Sequence, residues 1–170
     1  MQATLLRRAV GISVALTGLG LAGPAVAGPA NPLQVVQQYM AGWNAHDANL
    51  AAMNMDPEVE YYDVTVGESQ YGMMVARDNV IRFFINSFPD LKWQMVDKPV
   101  VTRNEVVFRW RFTGTNTGPN IDPGVDGGKA TGKPISFEGL SLIRVRDGKI
   151  VYQGDYYDAL SLNRQLGNLR

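Results

Sequence analysis

Asp147-Gly148-Lys149-Ile150-Val151-Tyr152-Gln153-Gly154-Asp155-Tyr156-Tyr157-Asp158 reads as a two-residue turn running into a strand. Asp-Gly tolerates the positive φ angles that a tight hairpin needs. The strand behind it ends in two carboxylates, Asp155 and Asp158, interleaved with tyrosines. Carboxylates beside aromatic surface lose hydration, and that raises their pKa toward the range useful for proton transfer. In a regular strand Gln153, Asp155 and Tyr157 share one face, and Gly154, Tyr156 and Asp158 share the other. Only one aspartate can then point inward. Asp158 precedes Ala159-Leu160-Ser161, an ordinary helix start, so it also reads as an N-cap. Asp155 also reads as an edge charge facing solvent.

Upstream of the turn, Ile135, Phe137, Gly139, Ser141, Ile143 and Val145 alternate along a long strand, where Gly139 suggests a bulge. Val106, Phe108, Trp110 and Phe112 alternate with Val107, Arg109, Arg111 and Thr113, a half-buried strand. Residues 114–133, rich in Gly, Pro and Asn, read as a long mobile loop. Leu91 to Val96 is a further strand. The N-terminal half is mainly helical. Asn31-Pro32 is an N-cap and first turn. Leu33, Val36, Met40 and Trp43 follow as a stripe with Tyr39 on its flank. Asp47 can cap a short helix carrying Leu50 and Met53. Val59 to Val66 reads as a strand with Val59, Tyr61 and Asp63 on one face, and Arg77 to Phe88 as a helix that Pro89 stops. Leu160 to Leu166 closes the chain as a helix. Helices first and strands afterward predict an α+β fold. A curved antiparallel sheet wrapped around the N-terminal helices makes a cone-shaped α+β barrel with an apolar interior.

The first residues read as a targeting segment. Arg7 and Arg8 precede a short apolar run from Ala9 to Ala22, Gly23-Pro24 breaks it, and Ala25-Val26-Ala27 has the pattern of a cleavage site. Residues 1–27 are therefore expected to be a signal peptide, with 28–170 a single domain, periplasmic or secreted, that keeps no stable membrane insertion after processing. The 170 residues carry 16 basic and 16 acidic side chains. Removing Arg7 and Arg8 leaves 14 basic against 16 acidic, which argues against a nucleic-acid partner. The chain contains no cysteine and one histidine, His46, so a zinc site is not expected. No phosphate-binding glycine motif is present. No metal and no cofactor are predicted.

Several motifs in order resemble the SnoaL-like polyketide cyclases of the nuclear transport factor 2-like superfamily. They are Trp43-Asn44-Ala45-His46-Asp47, Phe88-Pro89-Asp90-Leu91, Gly114-Thr115-Asn116-Thr117-Gly118, Thr131-Gly132-Lys133, Asp147-Gly148-Lys149-Ile150-Val151 and Gln165-Leu166-Gly167. The cyclase pattern places a Trp four residues before its acid/base aspartate, which implies Asp158, with Gly154 at the Trp position. Gly154-Asp155-Tyr156-Tyr157-Asp158 is also similar to a limonene epoxide hydrolase segment, and that implies Asp155. There the Arg-x-Asp strand pair of those hydrolases is replaced by Trp110 and Phe112. Val35-Val36-Gln37-Gln38-Tyr39 resembles the first helix of ketosteroid isomerase, which implies Tyr39 as an oxyanion donor and Asp63 as a base; the second carboxylate of that isomerase has no counterpart, Ser141 lying in its region.

The resemblance implies a cofactor-independent enzyme that moves a proton next to a carbonyl of an apolar, ring-containing or polyketide-like substrate. Asp155 and Asp158 are the first catalytic candidates and Asp63 the second. Tyr39, Tyr61, Trp110, Gln153, Phe112 and Trp43 are candidate substrate-binding residues. The alternative is an exported, non-catalytic binding protein for a hydrophobic small molecule. A homodimer paired through the outer sheet face is implied by the resemblance. His46 reads as structural, and Met73 and Met74 as pocket entrance or loop anchor.

Overall fold

Asn31 begins the first helix by accepting a hydrogen bond from Leu33 N at 3.0 Å, so an orphan amide of the first turn is satisfied. The computed structural model describes residues 31–169; the expected signal peptide lies outside them. Helix α1 (Pro32–Asn44) buries Val35, Val36, Tyr39, Met40 and Trp43. Gly42 faces α2 (Ala48–Ala52) so closely that a Cβ there would stand 2.4 Å from Ala51 N. Asp47 caps α2 through Asn49 N and Leu50 N. This helix packs through its alanines, and Leu50 and Met53 are exposed.

Seven strands form one sheet. They are β1 (Met55–Asp63), β2 (Ser69–Tyr71), β3 (Lys92–Met95), β4 (Val100–Val101), β5 (Glu105–Thr115), β6 (Pro134–Arg146) and β7 (Lys149–Tyr157), in the order β2-β1-β7-β6-β5-β3, with β4 also on β5. The pairs are antiparallel except one. β1 runs parallel to β7, with Asp63 opposite Asp155, so the sheet is mixed where an antiparallel one was expected. Alternation sends Val59, Tyr61 and Asp63 inward from β1. Val106, Phe108, Trp110 and Phe112 enter from β5, and Ile135, Phe137, Ser141 and Ile143 from β6. Helix α1 lies against β3, β5, β6 and β7 and closes the cone from one side. The other helical wall comprises α3 (Met73–Ala76), a π-helical turn (Arg77–Ile81) and α4 (Arg82–Ser87), which bury Val80, Ile81, Phe84 and Ile85. Among the described residues no helix is long and apolar enough to cross a membrane.

The hairpin turn forms as read, with φ of 49° at Asp147 and 75° at Gly148. Two other expectations change. Residues 114–133 are pinned along their length. Asn116 is wholly buried, its amide nitrogen donating to Ser87 O and Pro119 O and its oxygen accepting from Thr131 N. Asn120 and Asn168 exchange reciprocal side-chain hydrogen bonds of 2.7 and 2.9 Å. Gly139 marks no bulge, since pairing continues through Trp110 and Gly139 on one side and Gly139 and Tyr157 on the other; the β6–β7 register shifts instead at Arg144/Val145, where Val151 of β7 is the extra residue. The glycine instead makes room for an indole, since a Cβ there would meet Trp110 Cζ2 at 2.4 Å and Cη2 at 2.5 Å. Gly139→Ala is therefore expected to lower stability by about 1–3 kcal/mol through overpacking. A urea midpoint followed by tryptophan fluorescence measures it.

Candidate functional site

Inside the cone the sheet and helices leave a cavity of about 20 Å³, lined by Trp43, Tyr61, Asp63, Phe84, Trp93, Trp110, Phe112, Phe137, Asp155 and Tyr157. That volume takes little more than one water. Most of the wall is aromatic. Trp110 packs edge-on to Phe137 and Tyr157, both at 5.7 Å between centroids, and Trp43 packs against Trp93 at 5.5 Å. All three tryptophans of the chain line this one space.

Two carboxylates enter it from neighbouring strands. Asp63 and Asp155 are register partners of the parallel β1–β7 pair, 3 % and 5 % exposed. Their hydrogen bonding differs. Asp155 Oδ2 accepts from Tyr61 Oη at 2.6 Å and from Gln153 Nε2 at 2.8 Å, and Oδ1 accepts from Ser141 Oγ. Trp110 Nε1 donates to the same Ser141 oxygen at 2.8 Å, so the hydroxyl relays an indole donor to the carboxylate. Asp63 receives Thr65 N at 2.8 Å, Val66 N at 3.3 Å and Tyr157 Oη at 2.9 Å, all on Oδ1. Oδ2 of Asp63 accepts no hydrogen bond from any described residue. Thr65 Oγ1 holds the Tyr157 hydroxyl from behind.

Burial, and after it the Asp155 charge, push the Asp63 carboxyl up to about 7 against the pull of the Thr65, Tyr157 and Val66 donors. Burial also raises Asp155, opposed by Ser141, Tyr61 and Gln153. The Tyr61 and Tyr157 hydroxyls are held well above the usual phenol range, first by burial and then by the neighbouring carboxylates, so both stay protonated donors. Among the described residues no Lys, Arg or His side chain lines the cavity. Among the described residues no group of three or more metal-ligating His, Cys, Asp or Glu side chains exists.

The sequence-derived candidates separate clearly. Asp63, Asp155, Tyr61, Trp43, Trp110 and Phe112 come together in the wall. Asp158 is exposed on the opposite side of the strand end and caps α5 (Ala159–Leu166), accepting from Ser161 N at 2.9 Å and Ser161 Oγ at 2.6 Å. It is not brought to the cavity. Tyr39 is wholly buried and does not line the cavity. Its hydroxyl, Trp43 Nε1 and Gln153 Oε1 are buried without a hydrogen-bond partner. Gln153 acts one step back, as a donor to Asp155. Met73 and Met74 do not line the cavity. Reading the sequence missed Phe84, Trp93, Phe137 and Tyr157 as wall residues, and Ser141 as a hydrogen-bond partner of the site. Tyr157 shared the face of Asp155 in the alternation, which was the available signal.

The motif residues outside the cavity hold the scaffold. Asn44 Oδ1 accepts from Trp93 N, and its amide nitrogen donates to Trp93 O, both at 2.8 Å. His46 Nε2 bonds Leu91 O at 2.9 Å. Asp90 accepts from Thr115 N and Thr115 Oγ1, and Gln165 accepts from Ser136 N. Residues 33–166 match the family model of the SnoaL-like polyketide cyclases. The chain belongs to that family. No functionally curated protein matches it. Among solved structures it is similar to TsrD from Streptomyces laurentii, at 26% identity and a TM-score of 0.66, covering 81% of this chain and 95% of that one. It is also similar to IdmH from Streptomyces antibioticus, at 23% identity and a TM-score of 0.65, covering 81% and 99%. An NTF2-like protein from Burkholderia thailandensis E264 matches at 19% identity and a TM-score of 0.65, covering 81% and 98%. These likenesses establish the nuclear transport factor 2-like fold, and the family match gives a cyclase-type relationship.

The raised Asp63 pKa has a consequence for stability. The unfolded carboxyl ionises near 3.8 and the folded one near 7, so between those values the folded state holds more protons. Stability is then expected to fall as pH rises through that window and to level off above it. Asp63→Asn removes this contribution, and that of Asp155, raised in the same direction, stays. The variant is expected to match the parent near the lower limit and to exceed it by a few kcal/mol above the upper one. Urea unfolding across pH checks both the sign and the window.

Proposed function

We propose that the protein is a cofactor-independent proton-transfer enzyme of the cyclase type, with Asp63 as its base. One observation carries the reading: Asp63 sits in an aromatic cavity with its pKa near 7 and one carboxylate oxygen open. A base works best when its pKa lies close to the working pH. Asp63 Oδ2 takes a proton from carbon next to a carbonyl, and the C–H electron pair moves into the enolate. The enolate carbon then attacks a second carbonyl of the same substrate, and Asp63 returns the proton to the resulting alkoxide. Tyr61 and Tyr157, kept protonated, give their single O–H to Asp155 and Asp63 in the resting site, and one of them turns from its carboxylate to meet the developing oxyanion when substrate is present. Asp155, fixed by three donors, acts through its charge on Asp63.

The substrate is a carbonyl compound with an apolar body. It enters only when wall side chains swing aside, since the cavity as it stands takes about one water. Phe84 and Trp43 are the wall residues supplied by helices, so movement on that side admits it at least cost to the sheet. The pattern in residues 1–27 supports export to the periplasm or outside the cell. It also supports the second reading, an exported binding protein that uses the same cavity for a hydrophobic small molecule.

Hydrogen exchange separates the two readings without knowledge of the natural substrate. Aryl ketones and 1,3-dicarbonyl compounds incubated with the protein in heavy water are expected to gain deuterium next to the carbonyl, followed by NMR. The rate should rise with pH and level off above about 7. Asp63→Asn should cost on the order of a hundred- to ten-thousandfold. Asp155→Asn should move the apparent pKa downward by removing a like charge. Binding without exchange in any of these compounds supports the binding protein.

A homodimer through the outer sheet face is part of the proposal. Tyr156 (45 % exposed) and Leu140 (39 % exposed) lie there, with Tyr62 packed on Tyr156 at 5.6 Å. Exposed aromatic and aliphatic groups gathered on one sheet face favour association. Sedimentation equilibrium is expected to give a dimer, and Tyr156→Glu to shift it toward monomer.

A further inference from the structure

The cavity combines two features that the proton-transfer reading does not use together. Its walls are the π faces and edges of Trp43, Trp93, Trp110, Phe84, Phe112 and Phe137, and it contains carboxylates with no cationic side chain beside them. A buried anion without a counter-charge is costly, and proteins answer it by protonation or by pairing. Asp155 is answered by three neutral donors, whereas Asp63 Oδ2, on a side chain 3 % exposed, accepts no hydrogen bond from the described residues and is not fully enclosed. Aromatic rings attract cations through their quadrupole. A space for about one water takes the ammonium head of a protonated amine, which is of similar size, while the carbon body needs the same movement of the wall that admits a carbonyl substrate.

We propose that this cavity binds the ammonium head of a protonated amine, paired with Asp63 Oδ2 and surrounded by the three tryptophans. The ligand class is an alkyl- or arylalkylammonium whose apolar body leaves along the aromatic wall. Two carboxylates with no third ligand make a poor cage for a metal ion, and an amine brings its own three donors. The inference concerns the charge of the ligand and goes beyond the proton-transfer reading; it holds whether or not the site is catalytic.

The titratable groups facing Asp63 are Asp155 and Tyr157 of β7 and Tyr61 of its own strand. Both tyrosines stay neutral, and Asp155 titrates in the same direction as Asp63. Amine binding should therefore weaken as pH falls below about 7, approaching tenfold per pH unit.

The test uses intrinsic tryptophan fluorescence, since all three indoles line the site. Methylammonium and butylammonium chloride are titrated into the protein above the Asp63 pKa, with sodium chloride matching ionic strength and 1-butanol as the neutral analogue of equal shape. Saturable changes are expected with both ammonium salts, with 1-butanol weaker by on the order of tenfold. Asp63→Asn, which keeps the fold by the stability argument above, should abolish the preference for the amine over the alcohol. Equal affinity for amine and alcohol overturns the proposal. So do an unchanged preference in Asp63→Asn and the lack of a saturable change with either ammonium salt. Deuterium exchange into ketones is read separately, so its failure leaves the amine test intact and the reverse also holds.

Discussion

The parallel pairing of β1 with β7 is the constraint on which the interior depends. It joins a strand from the first half of the chain to the last strand, and its ladder sets Asp63 against Asp155. Alternation then turns Tyr61 and Asp63 of one strand and Gln153, Asp155 and Tyr157 of the other toward the same space. A slip of one residue would send the polar set outward and leave the cavity purely aromatic. Backbone hydrogen bonds and the surrounding apolar packing therefore hold two carboxylates closer than their charges alone would allow.

The two carboxylates are made unequal by their donors. Asp155 is saturated by Tyr61, Gln153 and Ser141, with Trp110 supporting the serine. Asp63 is held through one oxygen by a turn that begins at its own position, where Thr65 N and Val66 N fold back. One carboxylate is thus an anchored charge and the other a fixed group with an open face. Gly139 belongs to the same arrangement, because its missing Cβ lets Trp110 lie where its N–H reaches Ser141. A destabilised carboxyl kept in place by the rest of the fold is typical of sites where stability is traded for chemistry or binding.

Much of this was legible in local pattern. Alternation placed Val59, Tyr61 and Asp63 on one face and Gln153, Asp155 and Tyr157 on another, and Asp158 before Ala-Leu-Ser was readable as a cap. What was not legible was the partner of each strand. Alternation allowed only one of Asp155 and Asp158 to point inward, but the carboxylate that joins Asp155 in the interior is Asp63, brought there by register. A parallel contact between distant strands leaves no mark in either strand alone. Gly139 was read as a bulge because a strand glycine signals either an irregularity or a close neighbour, and only Trp110 in place distinguishes them. Residues 114–133 looked mobile by composition, but Asn116 and Asn120 spend their amides on backbone and side-chain partners that sequence does not reveal. The helical stripe through Val36, Met40 and Trp43 was readable with Tyr39 at its edge, and Val35 joins them in the buried face.

The reciprocal pair between Asn120 and Asn168 reaches further than its two bonds. Asn168 is also tied to Asn163 of α5, and Ile121, next to Asn120, is buried with the core. The carboxyl end of the chain thus works as a clasp on the long connection between β5 and β6. Anything attached just beyond residue 168 would pull on that connection, and a chain shortened there would unfasten it. The last residues and the middle of the chain form one mechanical unit, so handling the terminus is handling the flank of the barrel.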